Sequence, residues 1–311
     1  MSSPRPILIE TSAAHSLRNA VRAMLAKAAN LKSRGGDESV HSSRRQMKRI
    51  RAALRLLRAA LGDSSYRAFN KEVRDAARPL TSLRDAAVLL RSLELLPRLN
   101  DVAGCKAYAK QARRLLRAEL ASNRRKLTGA AMRRCAASLK KIDQRMATLP
   151  AKAPDLQSAR RGTKKTYRQG RAAFGAALRQ PAPETLHEWR KQVKYLSNQA
   201  SLVQSLFGAK LKKIRRRSRE LEMLLGQDHD LVLLEMKLDE LHGKGLLRAD
   251  DAVRGVFKGR INRRRENLQA ASYGLGKRLY RRSPGKFVRL HLPKMSQCKP
   301  GWARRARSRV A

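Results

Sequence analysis

Between Val40 and Leu61 the chain reads VHSSRRQMKRIRAALRLLRAAL, and its apolar and basic residues keep separate helical registers. Met47, Ile50, Leu54, Leu57 and Leu61 recur at steps of three and four, so a helix places them on one side, facing a core. His41, Arg44, Arg45, Lys48, Arg51 and Arg55 recur at the same steps on a flank rotated roughly 120° away, at about 3.6 residues per turn. An ordinary solvated helix face mixes signs and gains from Glu-to-Lys pairs four apart, but Val40 to Leu61 contains no Asp or Glu. Like charges this close repel, so the flank is either a cost or a binding site.

The pattern returns 146 residues later. In LHEWRKQVKYLSNQASLVQS, from Leu186 to Ser205, His187, Arg190, Lys191 and Lys194 repeat the spacing of His41, Arg44, Arg45 and Lys48, while Trp189, Val193, Leu196 and Ala200 form the apolar side. At an offset of 145, Arg67, Lys71 and Arg74 are matched by Lys212, Arg216 and Arg219, and Leu80 and Asp85 by Leu225 and Asp230. This agreement identifies an internal duplication. The second strip is the thinner one, because Tyr195 and Ser197 align with Arg49 and Arg51.

The charge balance decides what kind of partner such strips meet. Lys+Arg 72 against Asp+Glu 24 leaves a formal charge of +48 over 311 residues, far more than solubility requires. A polyanion is the expected partner: membrane surface, nucleic acid and inorganic polyphosphate all offer dense negative charge. Cys105, Cys135 and Cys298 are scattered and form no CxxC pair, which argues against a disulfide framework or structural zinc. The start, MSSPRPILIETS, lacks the apolar run of a signal peptide, and no stretch of about 18 apolar residues occurs. A cytoplasmic protein without membrane insertion is expected.

Taken in order, helical periodicity predicts helices over 10–34, 40–61, 64–78 and 82–96, with Pro79 ending or kinking the third. Two more follow over 101–127 and 130–149, and LPAKAPD, with two prolines, separates the halves. The second half predicts helices over 156–180, 184–206, 210–225 and 228–241, then one or two within 246–279. No stretch alternates for long enough to be a strand. From Ser283 the tail, with Pro284, Pro293 and Pro300, is expected to lack fixed structure. The expected organisation is a first half over 1–149, a second over 155–282 and a basic tail over 283–311.

Lys is a point charge and Arg a planar fork, and both suit phosphate oxygens. His41 and His187 lie near expected helix starts, where they either contact an anion or cap the helix. Asp85 and Asp230 precede apolar helical runs, and capping or salt-bridging to the basic strips accounts for them without catalysis. No HxxxH, HxxE or Cys/His cluster suggests a metal, and no Ser/His/Asp set or P-loop occurs. No catalytic residue, metal or cofactor is therefore expected.

The segments VHSSRRQMKRIRAALRL and LTSLRDAAVLL in the first half, with LHEWRKQVKYLSNQ and LLGQDHDLVLL in the second, resemble the CHAD (histidine alpha-helical) domain family over about residues 10 to 280. The resemblance implies an all-α fold of two pseudo-symmetric four-helix bundles, whose basic helices line a shared channel that binds inorganic polyphosphate and targets proteins to polyphosphate granules. Ala87 and Val232 stand where the family carries its second acidic residue, which weakens any metal role for that pair. No companion catalytic domain is recognised, so a stand-alone module is expected.

The expected function is non-enzymatic polyphosphate binding in the cytoplasm, at granules. Its site residues are His41, Arg44, Arg45, Lys48, Arg51, Arg55, Arg67, Lys71, Arg74, His187, Arg190, Lys191, Lys194, Lys212, Arg216 and Arg219. The alternative is a non-specific nucleic-acid binder held by phosphate contacts. Against its single-strand form stands an aromatic content of 4%, which leaves few stacking platforms. Hydrolysis of polyphosphate or triphosphate is a third reading, disfavoured by the lack of a carboxylate cluster.

Overall fold

The computed structural model describes residues 5–30, 37–96, 103–127, 129–148, 156–207 and 211–292. These residues form an all-α structure with no strand among them. The first half contributes α1 (Arg5–Ala29), α2 (Asp37–Leu61), α3 (Asp63–Ala77), α4 (Thr81–Glu94), α5 (Cys105–Lys126) and α6 (Gly129–Thr148). The second contributes α7 (Leu156–Arg179), α8 (Pro183–Phe207), α9 (Lys212–Gly243), α10 (Asp251–Tyr280) and α11 (Pro284–His291).

Helix α2 forms where the apolar period predicts it, and its Met47, Ile50, Leu54 and Leu57 are buried. Trp189, Val193, Leu196 and Ala200 of α8 are likewise fully buried. The pairs α1 with α2, α2 with α3, α4 with α5 and α1 with α6 have counterparts in α7 with α8, α8 with α9, α9 with α10 and α7 with α11. Corresponding helices thus take corresponding neighbours. The halves also meet directly, through α2 on α7 and α8 and through α4 on α9. Gly162 of α7 permits one of these approaches, since a Cβ there would stand 3.0 Å from the Leu56 Cα of α2.

Two core clusters result, and each draws on both sides of the 149–155 linker, which itself lies outside the described residues. One joins α1, α2, α3, α6, α7 and α8 to the start of α9, the end of α10 and α11. The other joins the ends of α4 and α9 to α5 and the first half of α10. In it Tyr108 packs edge-on against Phe257 at 4.5 Å, and buried Asp228 accepts hydrogen bonds from Gln269 (2.9 Å) and Arg265 (3.3 Å). A buried carboxylate paired in this way avoids the cost of an uncompensated charge.

The repeats diverge where a proline is present or absent. In the first half Pro79 lies in a 3-10 turn, Arg78–Leu80, which separates α3 from α4. The two helices expected at 210–225 and 228–241 are instead the single continuous α9. Leu224 occupies the position equivalent to Pro79, so no backbone donor is lost and no pyrrolidine ring strikes the preceding turn. Gly226 alone costs only about 1 kcal/mol and does not interrupt the helix.

The tail expected to lack structure from Ser283 is also corrected, over 283–292. Ser283 caps α11 by accepting from Lys286 N at 3.3 Å, and Pro284 occupies its first turn. Phe287, Val288 and Leu292 are buried, with the Phe287 ring stacked on Tyr167 at 3.9 Å. Arg160 donates to the Leu292 carbonyl (2.6 Å), fastening the segment to α7, and Arg171 of α7 donates to that of Tyr280 at the end of α10 (3.2 Å). Three apolar residues in one short segment are too few to register as a period, yet they suffice to fill the groove beside α7. The expectation for 293–311 lies outside the described residues.

Phe287→Ala is expected to cost about 3–5 kcal/mol, the range for truncating a buried aromatic. Thermal unfolding followed by far-ultraviolet circular dichroism checks this; a melting temperature unchanged from wild type would show that α11 contributes nothing to the core.

Candidate anion-binding site

The basic flanks of α2 and α8 are brought against each other by the packing of these two helices. Lys48 and Lys194, equivalent positions of the two repeats, come close enough for each to act electrostatically on the other. Around them stand Arg44 of α2, Arg84 of α4, Arg190 of α8, and His229 and Asp230 of α9.

Burial and charge act on this centre in the same direction. Desolvation pushes Lys48 down to about 6, helped by the fields of Lys194, Arg84 and Arg44. Lys194 is pushed down to about 8, again chiefly by burial and then by Arg190, but Glu222 beside it resists the shift. His229 falls to about 4 through burial and the neighbouring Arg190, so its ring is neutral at pH 7. Asp230 moves upward because burial outweighs the attraction of Arg84, Arg190 and Lys48.

The arginines are oriented and partly unsatisfied. Arg44 Nη1 donates to Thr81 Oγ1 (2.7 Å) and to the Ala77 carbonyl (3.3 Å), so the turn made by Pro79 also aims this fork. Arg84 pairs with Asp85 at 3.1 Å. The Nε atoms of Arg44 and of its counterpart Arg190 are buried and make no hydrogen bond within the protein, and neither does Asp230 Oδ1. Buried guanidinium donors without acceptors are costly, and an oxyanion would satisfy them.

Other residues expected at the site lie at its approaches. His41, Arg45, His187 and Lys191 are exposed at the edge of the cluster. Both histidines are held below the usual imidazole range, first by burial and then by the basic residues around them. Lys191 is paired with Glu188, and the His187 ring lies 4.7 Å from that of His229. Farther along α2, Arg51 donates to Asn70 of α3 at 2.9 Å, and Arg55 sits 3.9 Å over the Tyr195 ring. Arg67, Lys71 and Arg74 of α3 and Lys212, Arg216 and Arg219 of α9 are exposed and outside the buried centre. Lys71 and Arg74 lie 3.6 Å and 3.4 Å from Asp75.

Three expectations about individual roles change. His41 and His187 are each the fifth residue of their helices, past the free amides, so neither is a cap. Asp85 is the fifth residue of α4 and Asp230 lies inside α9, so neither caps a helix. Both face the basic centre, the other role considered for them, as Asp85 acts on Arg44 and Asp230 on Arg190. Arg84 and His229 are central but absent from the expected set. Their signal was legible: they precede Asp85 and Asp230 at the same offset of 145 residues. Among the described residues no group of three or more His, Cys, Asp and Glu is arranged to hold a metal ion.

A family model described as the CHAD domain matches residues 15–239. No curated protein matches the chain. The matched span contains both basic strips and every residue of the buried centre.

Because Lys48 is depressed from 10.5 to about 6, folding releases a proton between these values. The stability held above pH 10.5 is therefore lost as pH falls toward 6, and changes no further below it. Lys48→Met is expected to raise the melting temperature of the ligand-free protein at pH 7 and to flatten its pH dependence over this window. Each kcal/mol of relief corresponds to roughly 2–4 °C for a domain of about 150–250 residues. Thermal unfolding from pH 6 to 10 measures it, and a variant less stable than wild type at pH 7 would contradict the assigned cost of burying this amine.

Proposed function

The chain belongs to the CHAD domain family, and from that membership together with the geometry of the buried centre we propose that it binds inorganic polyphosphate without cleaving it. The observation that carries the reading is the meeting of repeat-equivalent cations, Arg44 and Lys48 with Arg190 and Lys194, around donors that no protein group satisfies. The exposed strips of α2, α3, α8 and α9 continue the positive surface away from this centre, as a linear anion requires. Association with polyphosphate granules is the cellular role that the family resemblance implies for such binding.

The chemistry of the centre favours holding over hydrolysis. Its side chains neutralise charge and donate hydrogen bonds, and its carboxylates Asp85 and Asp230 are occupied facing arginines. Nucleic acid is the competing polyanion. Single-strand binding is disfavoured because Tyr66, Phe69, Tyr108, Tyr167, Phe174, Trp189, Phe257, Tyr280 and Phe287 are all buried, and Tyr195 is covered by Arg55. No helix among the described residues is long and apolar enough to cross a membrane.

Competition at physiological salt between long-chain polyphosphate, duplex DNA and RNA of equal phosphate content tests the assignment. Polyphosphate is expected to bind tightest; displacement by either nucleic acid would transfer the site to that partner. A release of inorganic phosphate that saturates with polyphosphate and depends on magnesium or manganese would make the protein an enzyme. Reversing the exposed strip residues Arg45 and Lys191 to Glu is expected to weaken binding. It should also flatten the slope of log affinity against log salt, by about 0.7 per lost contact if single strands are a fair guide. Reversing Arg125 and Arg134, exposed but away from the strips, is expected to do much less, since charge is screened beyond about 8 Å.

A further inference from the structure

We propose that the cavity enclosed by α7, the start of α9, the end of α10 and α11 is a second binding site, separate from the centre between α2 and α8, and that it takes a small aryl phosphate: a compact dianion carried on one aromatic ring.

The site arises where the two halves differ. In the first half α6 packs on both α1 and α3, and carboxylates balance that junction: Arg145 of α6 pairs with Glu72 of α3 at 2.5 Å, and Arg22 of α1 with Asp143 of α6 at 2.9 Å. Its counterpart α11 has only eight residues and packs on α7 without a comparable contact on α9. A cavity of about 120 Å³ is left between them. At the offset of 145 residues that relates α3 to α9, Arg217 stands where the first half has Glu72, and Lys213 where it has Ala68. The lining includes no Asp or Glu. The junction that ion pairs close in the first half is therefore open and cationic in the second.

Its walls divide into two chemistries. Tyr167, Ile214, Leu279 and Phe287 form an apolar floor, while Lys213 and Arg217 of α9, Arg278 of α10, and Arg281 and Arg282 ahead of α11 form a basic rim. Arg217 and Arg282 are half-buried, and the other three are exposed. The rim is fixed from behind. The Tyr167 hydroxyl is hydrogen-bonded to the carbonyls of Leu279 and Arg282, at 3.1 Å each, and Ser283 caps α11, so the backbone that carries these arginines is held before a ligand enters. Guanidinium forks converging on one opening suit the oxygens of a phosphate. An inorganic phosphate chain has no apolar surface to lay on the floor, whereas an aromatic ring has. The volume fits a single ring: an apolar protein cavity of roughly 150 Å³ holds benzene, and this one opens at its rim, where the phosphate stays.

The cavity is also remote from the centre. Arg217 precedes His229 by twelve residues on the continuous α9, about 18 Å at about 1.5 Å per residue. That is more than twice the screening length of about 8 Å at physiological salt, so the two sites act separately.

Calorimetric titration of the full-length chain at physiological salt, with phenyl phosphate, inorganic phosphate and long-chain polyphosphate in turn, tests the assignment. Phenyl phosphate is expected to bind about tenfold tighter than inorganic phosphate, because it buries its ring. Arg217→Glu, which installs the residue of the first half, is expected to weaken phenyl phosphate by about tenfold or more, the loss of one charge-assisted contact. It should leave the affinity for polyphosphate within about twofold. Arg281→Glu, at an exposed position, is expected to act in the same direction, and it decides the question if the melting curve shows Arg217→Glu to be unfolded. Equal affinity for phenyl and inorganic phosphate would overturn the proposal, and so would binding that neither variant alters. A loss of polyphosphate affinity as large as that of phenyl phosphate would overturn it as well, by making the cavity part of the polyphosphate path. Phenyl phosphate bound by a chain that does not bind polyphosphate would remove the function proposed above and leave this site standing.

Discussion

Burying like charge against like charge at the seam between α2 and α8 is the constraint on which the rest of this structure depends. Lys48 and Lys194 meet there, within the fields of Arg44, Arg84 and Arg190. Water cannot fully solvate them, and burial together with the neighbouring cations lowers the basicity of both amines. The seam also has favourable contacts. Gln199 donates to the Ala52 carbonyl at 3.3 Å, and Arg55 lies over the Tyr195 ring. The apolar stripes of α2 and α8, buried against α1, α3, α7 and α9, supply the hydrophobic free energy that keeps the helices in place.

The few carboxylates near the centre are distributed so that they temper the positive field without neutralising it. Asp85 acts on Arg44 and Asp230 on Arg190, an arrangement repeated in the two halves. Glu222 favours the charged form of Lys194. The repeats are also unequal where Arg84 in one is matched by His229 in the other. Arg84 contributes a permanent charge that reaches both lysines, Arg190 and Asp230, whereas the His229 ring is neutral. The first half therefore supplies more fixed charge to the centre than the second.

Much of the fold was legible because α2 and α8 carry uninterrupted apolar periods, and Pro79 marked the only break within the α3–α4 region. The same reasoning failed for α9, where equivalence to the first half was extended to a break whose cause, the proline, is absent. It failed for α11 because burial of Phe287 and Leu292 depends on a groove formed by α7, more than a hundred residues away. At the site, spacing identified the helices and most of the cations. It missed Arg84 and His229 because each stands alone rather than in a basic run.

By itself the sequence determined that the chain is helical, that its helices carry one-signed basic flanks, and that two such flanks are spaced alike. These properties follow from short-range periodicity and charge, which need no knowledge of neighbours. Only the tertiary structure decided which cations become half-buried together and which stay in water. Arg67, Lys71 and Arg74 repeat in charge as Arg44 and Lys48 do, yet they remain exposed while Lys48 loses its ordinary basicity. Desolvation and mutual repulsion depend on what packs across from a side chain, and the contact of α2 with α8 is a long-range event that no local pattern specifies.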